Sequence, residues 1–107
     1  MVEFYFTVNK PFVKYANHPI TVPRTQVDYA DLENKGLDRR ELKIQYEHGE
    51  WMPGYMHSGS SGYGPFYQLR HSPPYKQLPT LKKGDQVLVK LRQGEGHTLV
   101  TITKVDG

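Results

Sequence analysis

WMPGYMHSGSSGYGPFYQLRHSPPYKQLPTLKKG, residues 51–84, is the part of the chain from which the architecture is most directly read. Residues 51–58 read as an outgoing strand and residues 65–69 as its return, so 51–69 forms a long hairpin. Gly54 lies inside the outgoing strand with Pro53 just before it, a pair that predicts a bulge or bend. Trp51, beside the preceding turn, is expected to pack in the core. The middle, HSGSSGYG at 57–64, is too rich in glycine and serine to pack as core. It reads as a projecting loop with a flexible tip, lined with donors and acceptors.

The same stretch contains no Asp and no Glu, but it carries Arg70, Lys76, Lys82 and Lys83, with His57 and His71. Trp51, Tyr55, Tyr63, Phe66, Tyr67 and Tyr75 are interleaved with them. Cations attract phosphate, and ring faces and hydroxyls meet bases, sugars or phosphates, so this composition suits a polyanion. A plainer reading stands beside it. Tyrosines of a small β domain are often half-buried wall residues, Lys82 and Lys83 make a solvated turn, and His71 beside Pro73 and Pro74 is structural or neutral. Tyr63 departs from that reading, because a ring between glycines has little local packing to justify it.

The charges are unevenly distributed. The chain has 107 residues and a formal net charge of +3. Residues 1–24 hold Lys10, Lys14 and Arg24 against Glu3, and residues 25–50 hold seven acids against four bases. If folding joins 10–24 to 51–84, one side of the domain is positive and another acidic, which is the electrostatic footprint of a polyanion binder. The length fits one domain with a real core. With no cysteine, disulfides and thiolate metal sites are excluded. The opening residues MVEFYFTVNK match neither a signal peptide nor a membrane span, so a cytoplasmic location is the default. No cofactor and no membrane partner is expected.

In order, Phe4, Phe6 and Val8 alternate with Tyr5, Thr7 and Asn9, marking a half-buried strand over 3–10. Residues 11–18, PFVKYANH, read as a loop offering Lys14, Tyr15, Asn17 and His18 to solvent, or as an ordinary connection. Residues 19–23, PITVP, make a short strand whose prolines suggest an edge or a barrel rim. A short helix follows, with Thr25 as N-cap, Asp28 in its first turn, Val27, Ala30 and Leu32 on its apolar face, and Gly36 at its end. Leu42, Ile44 and Tyr46 mark the next strand. After the 51–69 hairpin, residues 70–80 are irregular and 81–85 form a tight turn. Strands over 86–91 and 97–105 are joined by a turn at 93–96. The prediction is a mainly β chain: a small seven-stranded open pseudobarrel with one short helix.

This order resembles the B3 family of DNA-binding pseudobarrels. There, an opening strand, a variable loop, a short "hydrophobic-x-hydrophobic-Pro" strand and a helix are followed by a strand, a "turn-x-W" step, a hairpin and a late "L-x-x-G-D-x-V" strand. The matching pieces here are FYFTVNK, PFVKYANH, ITVPR, TQVDYADLENK, ELKIQY, EHGEW, the hairpin and LKKGDQVLVKL. The strand after Trp51, MPGYMHS, lacks the arginine and aromatic of plant members. The chain is closer in style to bacterial relatives, the recognition or effector domains of EcoRII-type restriction endonucleases. The resemblance implies sequence-specific binding of double-stranded DNA by two arms in the major groove, one over 10–18 and one over 55–66. It also implies that cleavage belongs to a separate or covalently linked catalytic domain.

On that reading, Asn17 and His18 reach base edges, while Lys10, Lys14 and Arg24 hold phosphates. Tyr15 belongs to the same arm. In the second arm His57, Ser58, Ser60, Ser61 and Tyr63 contact bases or backbone, and Tyr55 stacks or supports. Arg70 and Lys76 contact flanking phosphates, or Arg70 reads guanine through its fork. Two other functions remain open. A small barrel could bind RNA or a protein partner, as a phage or plasmid factor does. A small nuclease could draw on His48, His57, His71 and His97, although no two of these have motif spacing.

Overall fold

Phe4, Phe6 and Val8 are buried, whereas Glu3, Tyr5 and Thr7 face out, as the period-two pattern predicts. The computed structural model of the chain describes residues 1–73 and 80–105. Its elements are β1 (Val2–Thr7), α1 (Lys10–Lys14), β2 (Ile20–Thr21), α2 (Tyr29–Asn34), β3 (Glu41–Tyr46), β4 (Trp51–Ser61), β5 (Gly64–His71), β6 (Gln86–Gln93) and β7 (Thr98–Lys104). The seven strands form one sheet, ordered β1-β6-β7-β3-β4-β5-β2 and curled into a nearly closed barrel. All pairs are antiparallel except β3 with β7. The predicted mainly β pseudobarrel is therefore present, and β2 lies at a sheet edge as its flanking prolines suggest.

The core fills the barrel with the inward residues of every strand, among them Phe4, Ile20, Leu42, Ile44, Leu69, Val89, Leu91 and Ile102. Between the two edge strands, Gln26 covers the backbone of β1. Its amide donates to the Tyr5 carbonyl at 3.0 Å, and its Oε1 accepts from the Tyr5 N–H at 2.8 Å. The side chain thus takes the place of a neighbouring strand at one residue and blunts an edge that could otherwise pair with another chain.

Helical structure differs from the expectation in two ways. Segment 11–18 is not wholly a loop, because α1 occupies its start. Asn9 caps α1 by accepting from the Phe12 N–H at 3.1 Å, Pro11 sits in the first turn, and Phe12 is buried. The second helix begins at Tyr29 rather than Thr25. Asp28 is its N-cap, accepting from the Ala30 N–H at 3.0 Å, and residues 24–26 form a turn. Ala30 faces solvent, whereas Val27 and Leu32 are buried. The helix ends at Gly36 as predicted. Gly36 has φ +66°, and the N–H groups of Leu37 and Gly36 return to the carbonyls of Leu32 and Glu33, closing a Schellman motif.

The 51–69 hairpin is present and longer than predicted. β4 continues through the Gly/Ser segment to Ser61, pairing Ser61 with Gly64 and leaving only Gly62 and Tyr63 in the turn. No bulge occurs at Pro53–Gly54, since the register with β3 and with β5 is unbroken. Gly54 serves close approach instead. A Cβ there would lie 2.6 Å from Ile44 Cδ1 and 2.7 Å from the Arg70 carbonyl oxygen. Trp51 is not core. Strand parity places it on the outer face with Pro53, Tyr55 and His57, opposite Gln45, and it is 37% exposed. The turn before β6 is tight as expected, with the Lys82 N–H donating to Asp85 Oδ2 at 2.8 Å.

Candidate nucleic-acid interface

Strand alternation sorts the candidate residues into two faces. Tyr55 and His57 point outward on β4, where they pair with Arg70 and Gln68 of β5. Ser58 and Ser60 lie on the opposite face, beyond the core, where the hairpin projects past the barrel and leaves them exposed. The residues expected to act together on the second arm therefore occupy both sides of a ribbon.

On the outer face, polar groups form a continuous series. Gln68 donates to Thr21 Oγ1 at 3.0 Å and accepts from Arg70 Nε at 2.7 Å. Arg70 in turn bonds the Tyr55 hydroxyl, which also meets the Asn17 side chain. The Arg70 hydrogen bond is the main reason that the Tyr55 phenol is held below its ordinary pKa. Asn17 and the charges of Arg70 and Arg40 act in the same direction, and burial opposes them. The Arg40 guanidinium lies over the Tyr55 ring at 5.8 Å.

These contacts join the two arms. A cleft of about 740 Å³ runs between the segment after α1 and the outer face of β4 and β5. Tyr15 and Asn17 line it from one side, Tyr55, Gln68 and Arg70 from the other, and among the described residues no carboxylate lines it. Tyr15 is 53% exposed, and the Lys14 ammonium lies 5.7 Å from its ring centre. Asn17 Oδ1 is buried with no hydrogen-bond partner among the described residues, a state that costs energy unless a donor is supplied. Lys10 and Lys14 are exposed on α1.

Other candidates have structural work. His18 was expected to reach base edges, yet its Nδ1 lies 2.7 Å from the Phe12 carbonyl and its ring packs against Phe12 and His71. It is half-buried, with φ +42°. Arg24 donates to the Tyr63 carbonyl and lies over the Tyr29 ring at 5.6 Å, so it braces the hairpin tip. The half-buried His57 ring packs against Phe66. Ser61 Oγ accepts from the Tyr63 N–H at 3.2 Å, and the Tyr63 side chain is 93% exposed. Lys76 lies outside the described residues.

The sequence reads His71 as structural or neutral, and its burial fits a structural role. It is 1% exposed, and burial lowers its pKa to about 4. On the other side of the hairpin, Glu33 of α2 accepts from the Tyr67 hydroxyl and Tyr29 packs edge-on against Tyr67. Burial, with Glu33 adding to it, raises the Tyr67 pKa to about 12.

Arg40, Gln68 and Thr21 were not singled out from the sequence. Once β3 and β4 are paired, Glu41 opposite Tyr55 implies that Arg40 lies near that ring, so hairpin register was the missing signal. Among the described residues, no three His, Cys, Asp or Glu side chains come together as a metal site, and no helix is long and apolar enough to cross a membrane. No protein-family model matches the chain, and no curated protein matches its sequence.

Proposed function

We propose that the chain binds double-stranded DNA sequence-specifically, through one arm over residues 10–18 and a second formed by the β4–β5 hairpin, both in the major groove. The observation that carries this reading is the cleft in which the two arms meet, with Asn17 and Tyr15 facing Tyr55 and Arg70 and no carboxylate among its described lining residues. Groups already held by Gln68, Thr21 and Tyr55 lose little freedom on binding, which favours a polar ligand. The Arg70 fork suits a guanine edge or a phosphate, and an Asn17 amide suits adenine. Exposed Lys10 and Lys14 suit phosphates, which set register without reading sequence. A two-stranded ribbon such as β4–β5 fits the width of the major groove.

The resemblance to restriction-endonuclease recognition and effector domains gives this binding a context. The chain would select the site, and a linked or separate catalytic domain would cut. Competition between duplex DNA, single-stranded DNA and RNA of one sequence tests the reading. A groove reader prefers duplex, whereas an RNA-binding module prefers unstacked single strands. Preference for single strands, or no nucleic-acid binding by the folded protein, overturns it and favours an RNA-binding or protein-binding barrel.

A further inference from the structure

We infer that Tyr63 is a wedge whose ring inserts between neighbouring base pairs when the hairpin enters the groove, an inference that rests on the DNA-binding reading above. At 93% exposed, Tyr63 is the most exposed large hydrophobic side chain among the described residues. Its backbone, in contrast, is fixed from three directions. Ser61 Oγ accepts its N–H at 3.2 Å, Arg24 reaches its carbonyl from 39 positions earlier in the chain, and β4–β5 pairing continues to the adjoining residues Ser61 and Gly64. Arg24 is itself seated over the Tyr29 ring, and Gly64 beside it takes φ +105°. A Cβ at Gly64 would come within 3.1 Å of Arg24 Nη1, so glycine there permits the brace.

A merely solvated tip needs no long-range brace. Here the fold anchors the backbone of one residue and leaves its ring without packing. The charge around it favours a nucleic-acid partner, since Arg24 puts a cation at the tip and residues 51–73 contain no acid. Reach is sufficient as well. Tyr63 lies eight residues beyond Tyr55, roughly 26 Å along an extended strand, against a major-groove depth of about 8.5 Å. An aromatic face stacks on any base, so the contact requires no particular sequence at that step. Inserted apolar side chains of this kind unstack the step and deform the duplex.

Insertion between base pairs unwinds DNA, so closed circular plasmid relaxed by a topoisomerase in the presence of the protein reports it. The wild-type chain should lower the linking number of the relaxed product. Tyr63→Ala should bind the same plasmid about tenfold more weakly and, at saturation, leave the linking number unchanged. Tyr63→Phe should retain the unwinding, because the ring and not the hydroxyl stacks. Plasmid binding without any change in linking number by the wild type, or equal unwinding by Tyr63→Ala at saturation, overturns the wedge and leaves DNA binding standing. Failure of the folded wild type to bind plasmid overturns both.

Discussion

Inside the barrel, the Tyr46 hydroxyl and His71 Nε2 meet at 2.8 Å, with the two rings stacked. The other ring nitrogen of His71, Nδ1, lies 3.2 Å and 3.1 Å from the carbonyls of Asn17 and His18. Carbonyls only accept, so Nδ1 carries the proton and Nε2 accepts from Tyr46. The His71 N–H also donates to the Asn17 carbonyl at 2.7 Å. One buried histidine therefore fixes the segment that carries Asn17 and Tyr15 to the cleft.

A pH dependence follows from this burial. The folded pKa of His71 is about 4 against 6.5 for an ordinary histidine, so the unfolded chain takes up the proton first as pH falls. The contribution is complete above about pH 6.5 and is lost progressively down to about pH 4, a change of roughly 3 kcal/mol at most. Urea unfolding midpoints should fall across that window in the wild type and less in His71→Leu. Parallel curves for the two proteins would remove His71 as the cause.

Gln26 should be a local determinant of edge protection. Gln26→Ala removes both bonds to the Tyr5 backbone, and water replaces them at that exposed edge. Exchange of the Tyr5 amide should accelerate by about tenfold, with a global stability loss of about 1 kcal/mol or less. An unchanged Tyr5 amide would mean that the edge is protected by something other than Gln26.

Gly54→Ala should be costly although the added group is a single methyl. Ile44 Cδ1 is the end of a side chain and can yield, but the Arg70 carbonyl belongs to the β4–β5 ladder and cannot. Denaturant titration should show a loss of about 1–3 kcal/mol, the range for overpacking. A neutral result would show that the ladder moves aside at this point.

The phosphate-holding and base-reading roles assigned to the two arms separate on salt and sequence. Lys14→Ala should weaken all duplexes alike and reduce the slope of log affinity against log salt by about one unit. Asn17→Ala and Arg70→Ala should each cost about 1–3 kcal/mol on the preferred duplex and relax preference at one base pair. Identical behaviour of all three on random DNA would discard the base-reading roles.

Much of the architecture was legible because it is local. The alternation at Phe4, Phe6 and Val8, the Gly36 helix end and the hairpin between Gln93 and Thr98 each depend on neighbours in sequence. α1 escaped notice because it is five residues long with one buried side chain, too little for a helical period. Thr25 was read as the cap and Asp28 as a first-turn acid, but Asp28 is the cap, and the long-range contact that draws Gln26 onto β1 has no local signal. Trp51 was misplaced because ring size argued for burial while strand parity argued against it. For the site, the two arms were marked by charge and composition. That Asn17 meets Tyr55 across the antiparallel β2–β5 and β5–β4 pairings has no local signature, and neither does the use of His18 as packing.

The central claim is that this barrel reads duplex sequence, and its most direct test is a gel shift on a randomised duplex pool at about 100 mM salt, with sequencing of the bound fraction. Non-specific binding falls steeply with salt, so that condition favours specific complexes. The account predicts a short enriched motif that Asn17→Ala and Arg70→Ala each relax at one position. A shifted fraction with no enrichment, or no shift by a folded protein, would contradict it.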